Sequence, residues 1–179
     1  MSVMRKIPAL VLSVGLLASG AALADNNGKS DASVTASVKS ALISNDATKA
    51  RQINVETKNG VVQLSGFVDD AAAKSAAETT AKNVEGVRQV ENKLLVRDSD
   101  RSAGQAVDDT VIAAKVKGQL AGKTGLGTAA DVNVEVNSGV VELSGFVDSA
   151  DQKAKAAELA RGINGVKDVR NNISLKPQG

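Results

Sequence analysis

The chain has 179 residues, with 22 Lys and Arg against 20 Asp and Glu. It contains no Cys, His, Trp or Tyr and only two Phe. Disulfides, thiol chemistry and imidazole bases or ligands are therefore excluded, and aromatic platforms for stacking nucleic-acid bases are scarce.

The chain starts with a basic pair, Arg5 and Lys6, followed by an apolar stretch from Ile7 to Ala24 that ends in Ala22-Leu23-Ala24. This is the pattern of an export leader with an A-x-A cleavage site. Pro8, Gly15 and Gly20 and the short apolar run argue against a membrane-spanning anchor. Residues 1–24 are read as a signal peptide cleaved after Ala24, which places the mature protein in the periplasm as a soluble molecule. No cysteine follows that could carry a lipid. Arg5 and Lys6 leave with the leader, taking 22 basic residues to 20 against 20 acidic ones, so the mature chain is neutral. Neutrality argues against nucleic acid as a partner.

Residues 25–30 form a short polar tail. Asp31 is read as an N-cap, with Val34, Val38, Ala41 and Leu42 at helical spacing behind it, giving a helix over 32–43. Strands follow at 52–58 and 61–68, joined by Asn59-Gly60, a two-residue turn that requires positive φ. That turn sets the register: Lys58 faces Val61, Thr57 faces Val62, Glu56 faces Gln63, Val55 faces Leu64 and Ile53 faces Gly66. The apolar residues then share one face, as a period of two demands. A second helix starts at Asp69 or Asp70 and turns Ala73, Ala77, Ala81 and Val84 inward. Gly86 is placed at its left-handed end, and a third strand, 87–96, lays Val90, Asn92, Leu94 and Val96 on one face.

Asn59-Gly-Val-Val-Gln-Leu-Ser-Gly-Phe-Val-Asp69 returns as Ser138-Gly-Val-Val-Glu-Leu-Ser-Gly-Phe-Val-Asp148, with nine of eleven residues identical at an offset of 79. The chain is thus a duplication. Residues 31–96 form one domain, 97–107 a polar linker and 108–176 the second domain. In copy two Ile112, Val116 and Leu120 turn inward, the hairpin spans 132–147 around Gly139, and a helix covers 149–163 with Asp148 and Asp151 as a capping box. Gly165 ends that helix, and the last strand is 166–175. The fold expected is α/β (α+β): two tandem α-β-β-α-β units, each a three-stranded mixed sheet with two helices on one face. A right-handed crossover sets the third strand parallel beside the second.

Several repeated positions require a reason. Gly66 and Gly145, mid-strand, suggest close approach of a helix or a bulge. Asn92 and Asn171, on an apolar face, suggest a side-chain bond to a loop or helix end, or a ligand contact. Phe67 and Phe146 suggest core or inter-domain packing, or a ligand contact. Glu135 faces Glu142 across the second hairpin, either as a solvated pair relieved by Arg170 or as a weak contact for a cation or basic partner.

Enzymatic chemistry finds no support: Ser65 and Ser144 have no histidine and no nucleophile elbow. No metal site and no cofactor are expected. Copy two's first helix is the candidate binding surface. Its outward positions Val111, Ala114, Lys115 and Gly118 replace Ser33, Ala36, Ser37 and Ser40 of copy one, with Lys117 alongside and Lys123 beyond. Gly118 costs about 1 kcal/mol in a helix interior, which suggests close packing there by the other domain, a partner protein or a membrane. Lysines flanking an apolar strip suit an anionic surface.

The hairpin strand N/S-G-V-V-x-L-S-G-F-V-D and the closing strand G-V-x-x-V-x-N-x-L/I resemble the BON domain family over 31–176. A leader followed by two such units resembles the osmotically inducible periplasmic members of that family. The resemblance implies a small α/β sandwich and an envelope-stress role without catalysis. It also implies attachment to anionic phospholipid membranes or to envelope proteins, with holdase-like chaperoning of unfolded clients as the alternative. No small-molecule cofactor is implied, and a monomer is expected. Intact mass of the native protein should start at Asp25; a retained leader would overturn both the periplasmic placement and the neutral charge.

Overall fold

The computed structural model describes residues 29–48, 53–97, 103–123 and 132–178. The leader, the cleavage site and residues 98–102 of the predicted linker lie outside them. The order is α1 (Asp31–Ile43), β1 (Ile53–Lys58), β2 (Val61–Val68), α2 (Ala71–Lys82), β3 (Gln89–Asn92) and β4 (Leu95–Val96), then α3 (Ala103–Lys123), β5 (Val132–Asn137), β6 (Val140–Val147), α4 (Ala150–Arg161), β7 (Asp168–Asn171) and β8 (Ser174–Leu175). α3 begins five residues inside the stretch read as linker.

Both hairpins take the register that turn and pattern predicted, from Lys58↔Val61 to Ile53↔Gly66 and from Asn137↔Val140 to Val132↔Gly145. β3 and β4 both run parallel to β2, as β7 and β8 do to β6. The third strand is thus two short strands, with a gap at Lys93–Leu94 that lies opposite Ser65–Gly66. The gap changes which side chains face inward. Leu94 and Ile173 are fully buried, whereas Val96 and Leu175, expected on the apolar face, are half exposed.

Each sheet buries one face under two helices. Val34, Val38 and Leu42 of α1 and Ala73, Ala77 and Ala81 of α2 close over Val55, Val62, Leu64 and Val68. Ile112, Val116 and Leu120 of α3 and Ala156, Ala157 and Ala160 of α4 repeat this over Val134, Val141, Leu143 and Val147. The alanines let each second helix sit close to its sheet. Asn92 fixes that helix: its Nδ2 donates to the Lys74 carbonyl at 3.0 Å, and Asn171 Nδ2 donates to the Lys153 carbonyl at 2.8 Å.

Helix ends differ from the sequence reading in two places. Ser30, not Asp31, caps α1. Asp31 instead receives the backbone N–H groups of Asn59 and Gly60 at 2.8 and 2.9 Å, and Asp109 receives those of Ser138 and Gly139, both at 2.8 Å. A carboxylate of each first helix, at the start of α1 and two turns into α3, thus holds its domain's hairpin turn through charge-assisted bonds. In α4 the capping box is Ser149 with Gln152, not Asp148 with Asp151. An uncharged Ser/Gln pair satisfies both orphan N–H groups, which two carboxylates cannot do without repulsion.

Gly86 and Gly165 have φ of +92° and +96°, three residues past the C-caps Asn83 and Gly162. A Cβ on Gly86 would lie 2.9 Å from Val34 Cγ2, and one on Gly165 would lie 3.0 Å from Ile112 Cδ1. Gly86→Ala and Gly165→Ala should therefore each destabilise their own domain, by roughly 1 to 3 kcal/mol. Urea unfolding followed separately in the two domains checks this; unchanged midpoints would refute it.

Candidate functional site

Two surfaces carry the sequence's candidate residues: the outer faces of the sheets and the outer face of α3.

The outer sheet faces are not solvated. They pack on each other, domain against domain. Gln63, Ser65, Glu142 and Ser144 are all 2% exposed or less. The contacts come in pairs related by the repeat offset of 79, so the interface has an internal two-fold symmetry. Gly66 N–H donates to Glu142 Oε2 at 2.7 Å, and Gly145 N–H donates to Gln63 Oε1 at 2.6 Å. Between them, the Ser144 hydroxyl bonds that of Ser65 at 2.7 Å. Asn54 Nδ2 donates to Glu135 Oε1 at 3.2 Å, and Asn133 Nδ2 to Glu56 Oε1 at 3.1 Å.

These bonds explain the mid-strand glycines. Gly66 and Gly145 have φ of +111° and +115°. That conformation is open to glycine and strained for other residues, and it turns each N–H out of its own ladder toward the other domain. The register is unbroken across them, from Leu64↔Asn92 to Phe67↔Leu95 and from Leu143↔Asn171 to Phe146↔Ser174, so no bulge is present.

The two halves differ at one position. Gln63 Nε2 donates to the Asn172 carbonyl at 3.2 Å and to Ser174 Oγ at 2.9 Å. Its counterpart Glu142 has no such protons when ionised. Its Oε1 accepts instead from Asn172 Nδ2 at 2.9 Å, and that amide also reaches the Lys93 carbonyl at 3.3 Å. Glu135 does face Glu142, yet the pair is not solvated as expected, and Arg170 bonds Asp168 at 3.0 Å. Burial pushes the Glu142 carboxyl up to about 7. The N–H bonds from Asn172 and Gly66 oppose that shift and are outweighed, with the nearby Glu135 charge adding to the rise.

Phe67 and Phe146 belong to neither core and are 7% and 6% exposed. Phe67 lines a cleft of about 350 Å³ between the domains, with Leu95, Arg97, Asn137, Val140 and Arg170.

On α3, Ile112, Val116 and Leu120 face the core, and Val111, Ala114, Lys115, Lys117 and Gly118 are all exposed. Helical spacing places Val107, Val111, Ala114 and Gly118 on one stripe, with Lys115 and Lys117 on either side. Val107 is 65% exposed and Val111 46%. Sequence reasoning missed Val107, because the helix starts earlier than the apolar pattern indicated. A Cβ on Gly118 would meet nothing within 4 Å, so the expected intramolecular packing against this glycine is absent. Val111, Ile112, Lys115, Asn164 and Lys167 line a cleft of about 300 Å³ at one edge of the stripe. The side chain of Lys123 lies outside the described residues.

Among the described residues no helix is long and apolar enough to cross a membrane, and no group of three or more Asp or Glu is placed to hold a metal ion.

Two copies of one α-β-β-α-β unit, paired through their sheets, define a protein of the BON class. The BON domain model matches residues 30–98 and 108–177, and the chain belongs to that family. It is 40% identical over 147 residues to the osmotically-inducible protein Y of Escherichia coli K12, covering 82% of this chain and 73% of that protein. It is 36% identical over 118 residues to the outer membrane lipoprotein DolP of Haemophilus influenzae, covering 66% of this chain and 60% of that protein. Among solved structures it matches the C-terminal domain of CdsD, a type III secretion structural protein of Chlamydia trachomatis. That match has 19% identity and a TM-score of 0.32, covering 82% of this chain and 67% of that one.

The Ser65–Ser144 contact yields a direct test of the docked arrangement. In this cysteine-free chain, Ser65→Cys with Ser144→Cys should oxidise to one intramolecular disulfide in a monomer, since two such side chains lie within bridging reach. Mass spectrometry and gel mobility read it. A reduced protein, or disulfide-linked dimers alone, would contradict the arrangement.

Proposed function

We propose that this protein is a non-enzymatic envelope-stress protein of the periplasm that binds anionic phospholipid surfaces reversibly through the outer face of α3. The observation that carries the reading is the exposed stripe of Val107, Val111, Ala114 and Gly118 flanked by Lys115 and Lys117. Small apolar side chains at the centre let the helix lie close to a headgroup layer, while lysine stems reach sideways to phosphates. Copy one has Ser33 and Ser40 at the positions of Val111 and Gly118, and Ser37 at that of Lys115, so the copies divide the work. The names of the relatives, an osmotically inducible protein and an outer membrane lipoprotein, support an envelope setting.

The magnitude is modest. A basic residue near an anionic membrane contributes about 1 kcal/mol and fades within a Debye length. Lys115 and Lys117 together give about 2 kcal/mol, on the order of thirtyfold in affinity. A neutral mature chain adds no other long-range attraction, so binding is weak, reversible and sensitive to salt.

Co-sedimentation with phosphatidylglycerol vesicles at low and high salt tests this. The wild type should bind at low salt and release at high salt, and Lys115→Glu, Lys117→Glu and Lys123→Glu together should abolish binding with the fold intact. Equal binding by wild type and variant, or no binding at low salt, would defeat the membrane reading. Suppression of client aggregation without lipid would then favour the holdase alternative.

A further inference from the structure

We propose that the docking of the two sheets is a proton-controlled clasp: with Glu142 protonated the domains close, and with it ionised their grip weakens. The proposal rests on the interface's own symmetry. At one of two equivalent positions stands Gln63, which accepts the Gly145 N–H with its oxygen and donates with its amide to the Asn172 carbonyl. At the other stands Glu142, which accepts the Gly66 N–H with one oxygen. A protonated Glu142 is neutral and carries a proton to donate, as Gln63 donates its amide to the Asn172 carbonyl, while still accepting from Gly66 N–H and Asn172 Nδ2. When ionised, it is a buried charge held by two neutral N–H donors.

The surrounding charges do not relieve that ion. Glu135 on β5 lies directly opposite, and Arg170 on β7, its parallel neighbour, is engaged by Asp168. From the first domain come Glu56 on β1, bonded to Asn133, and Glu91 on β3, which accepts from Ser174 and lies near Lys93. Lys74 on α2 attracts the carboxylate, but weakly against the cost of burial. Among the described residues no lysine or arginine forms an ion pair with Glu142.

The sign follows from linkage. The docked Glu142 titrates near 7 and the free group near 4.5, so the docked state holds its proton more tightly. Docking is strongest below the free value, declines as pH rises between the two and levels off above the docked value. The chain has no histidine and no cysteine, the side chains that most often titrate in this range, so the Glu142 signal is not masked.

The test is an NMR titration of the full mature protein from pH 5 to 8.5. The Gly66 amide shift should titrate with a midpoint near 7. Exchange protection of the Gly66 and Gly145 amides, corrected for intrinsic exchange, should fall on the order of a hundredfold across the range. Glu142→Gln should remove the dependence and keep the protection found at low pH. Gln63→Glu should steepen it, which keeps the idea falsifiable if the first variant folds poorly. The oxidised Ser65→Cys, Ser144→Cys protein should stay protected throughout. A wild type with flat protection, or a Glu142→Gln variant with an unchanged pH dependence, would overturn the clasp.

Discussion

Two backbone N–H groups determine how this molecule is assembled. Gly66 and Gly145 each turn a peptide away from their own sheet, and each N–H is taken up by a side chain of the other domain. A buried N–H left without an acceptor costs about 1 to 3 kcal/mol. Either domain alone would present such a group to water, together with a row of polar side chains. Docking satisfies both at once and leaves few buried polar atoms unpaired. The sheets therefore meet through hydrogen bonds rather than through apolar interdigitation, and the apolar cores stay on the helical sides. Such an interface depends on geometry and charge state more than on area, and one carboxyl group can therefore tune it.

The chain is a duplication, and its two halves differ at a few identifiable places. The cores are nearly interchangeable: Val34, Val38 and Leu42 match Ile112, Val116 and Leu120. The turn clamps Asp31 and Asp109 are interchangeable as well. The divergence lies at Gln63 against Glu142 and on the outward faces of α1 and α3. An amide at both positions of the interface would give a permanent pair. A carboxyl group at both would place two buried acids beside one axis. One of each gives a pair that closes and retains a titratable member. The α3 face changed in the other direction, from hydroxyls to small apolar residues with lysines at the edges.

Much of the fold was legible because local rules agreed. The two-residue turns and the alternation of Val and Leu independently fix the same register, and the repeat states it twice. The inward faces of α1, α2 and α3 followed from spacing alone. What was not legible depended on contacts distant in sequence. Asp31 has the residue type and position of an N-cap, and its bonds to the Asn59-Gly60 turn appear only when the hairpin folds back over the helix start. The split of the third strand follows from the turned peptide at Gly66, and the reason for that turn lies 76 residues away, at Glu142. Glu142 itself sits where alternation puts a solvent-facing residue. Its burial follows from packing against the first domain, which no periodicity within one strand reports. Val107 was missed for a plainer reason: nothing apolar repeats before Ile112 on the inward face, so α3 appeared to start later than it does.

The same docking decides which surfaces remain for partners. Sheet faces are common sites for client chains, but here both outer faces are consumed by each other and both inner faces by helices. Among the described residues the large apolar side chains left exposed are Ile43, Val96, Val107, Val111 and Leu175. Of these only Val107 and Val111 lie one helical turn apart on one face, with Lys115 and Lys117 flanking their stripe. A surface this narrow is poorly suited to engulf an unfolded chain, which presents long and varied apolar segments. It is better suited to a flat anionic layer, where a small contact is enough because many headgroups are offered at once. The polar interface and the exposed α3 stripe are therefore complementary parts of one arrangement: closing the sheets leaves the outer face of α3 open to solvent.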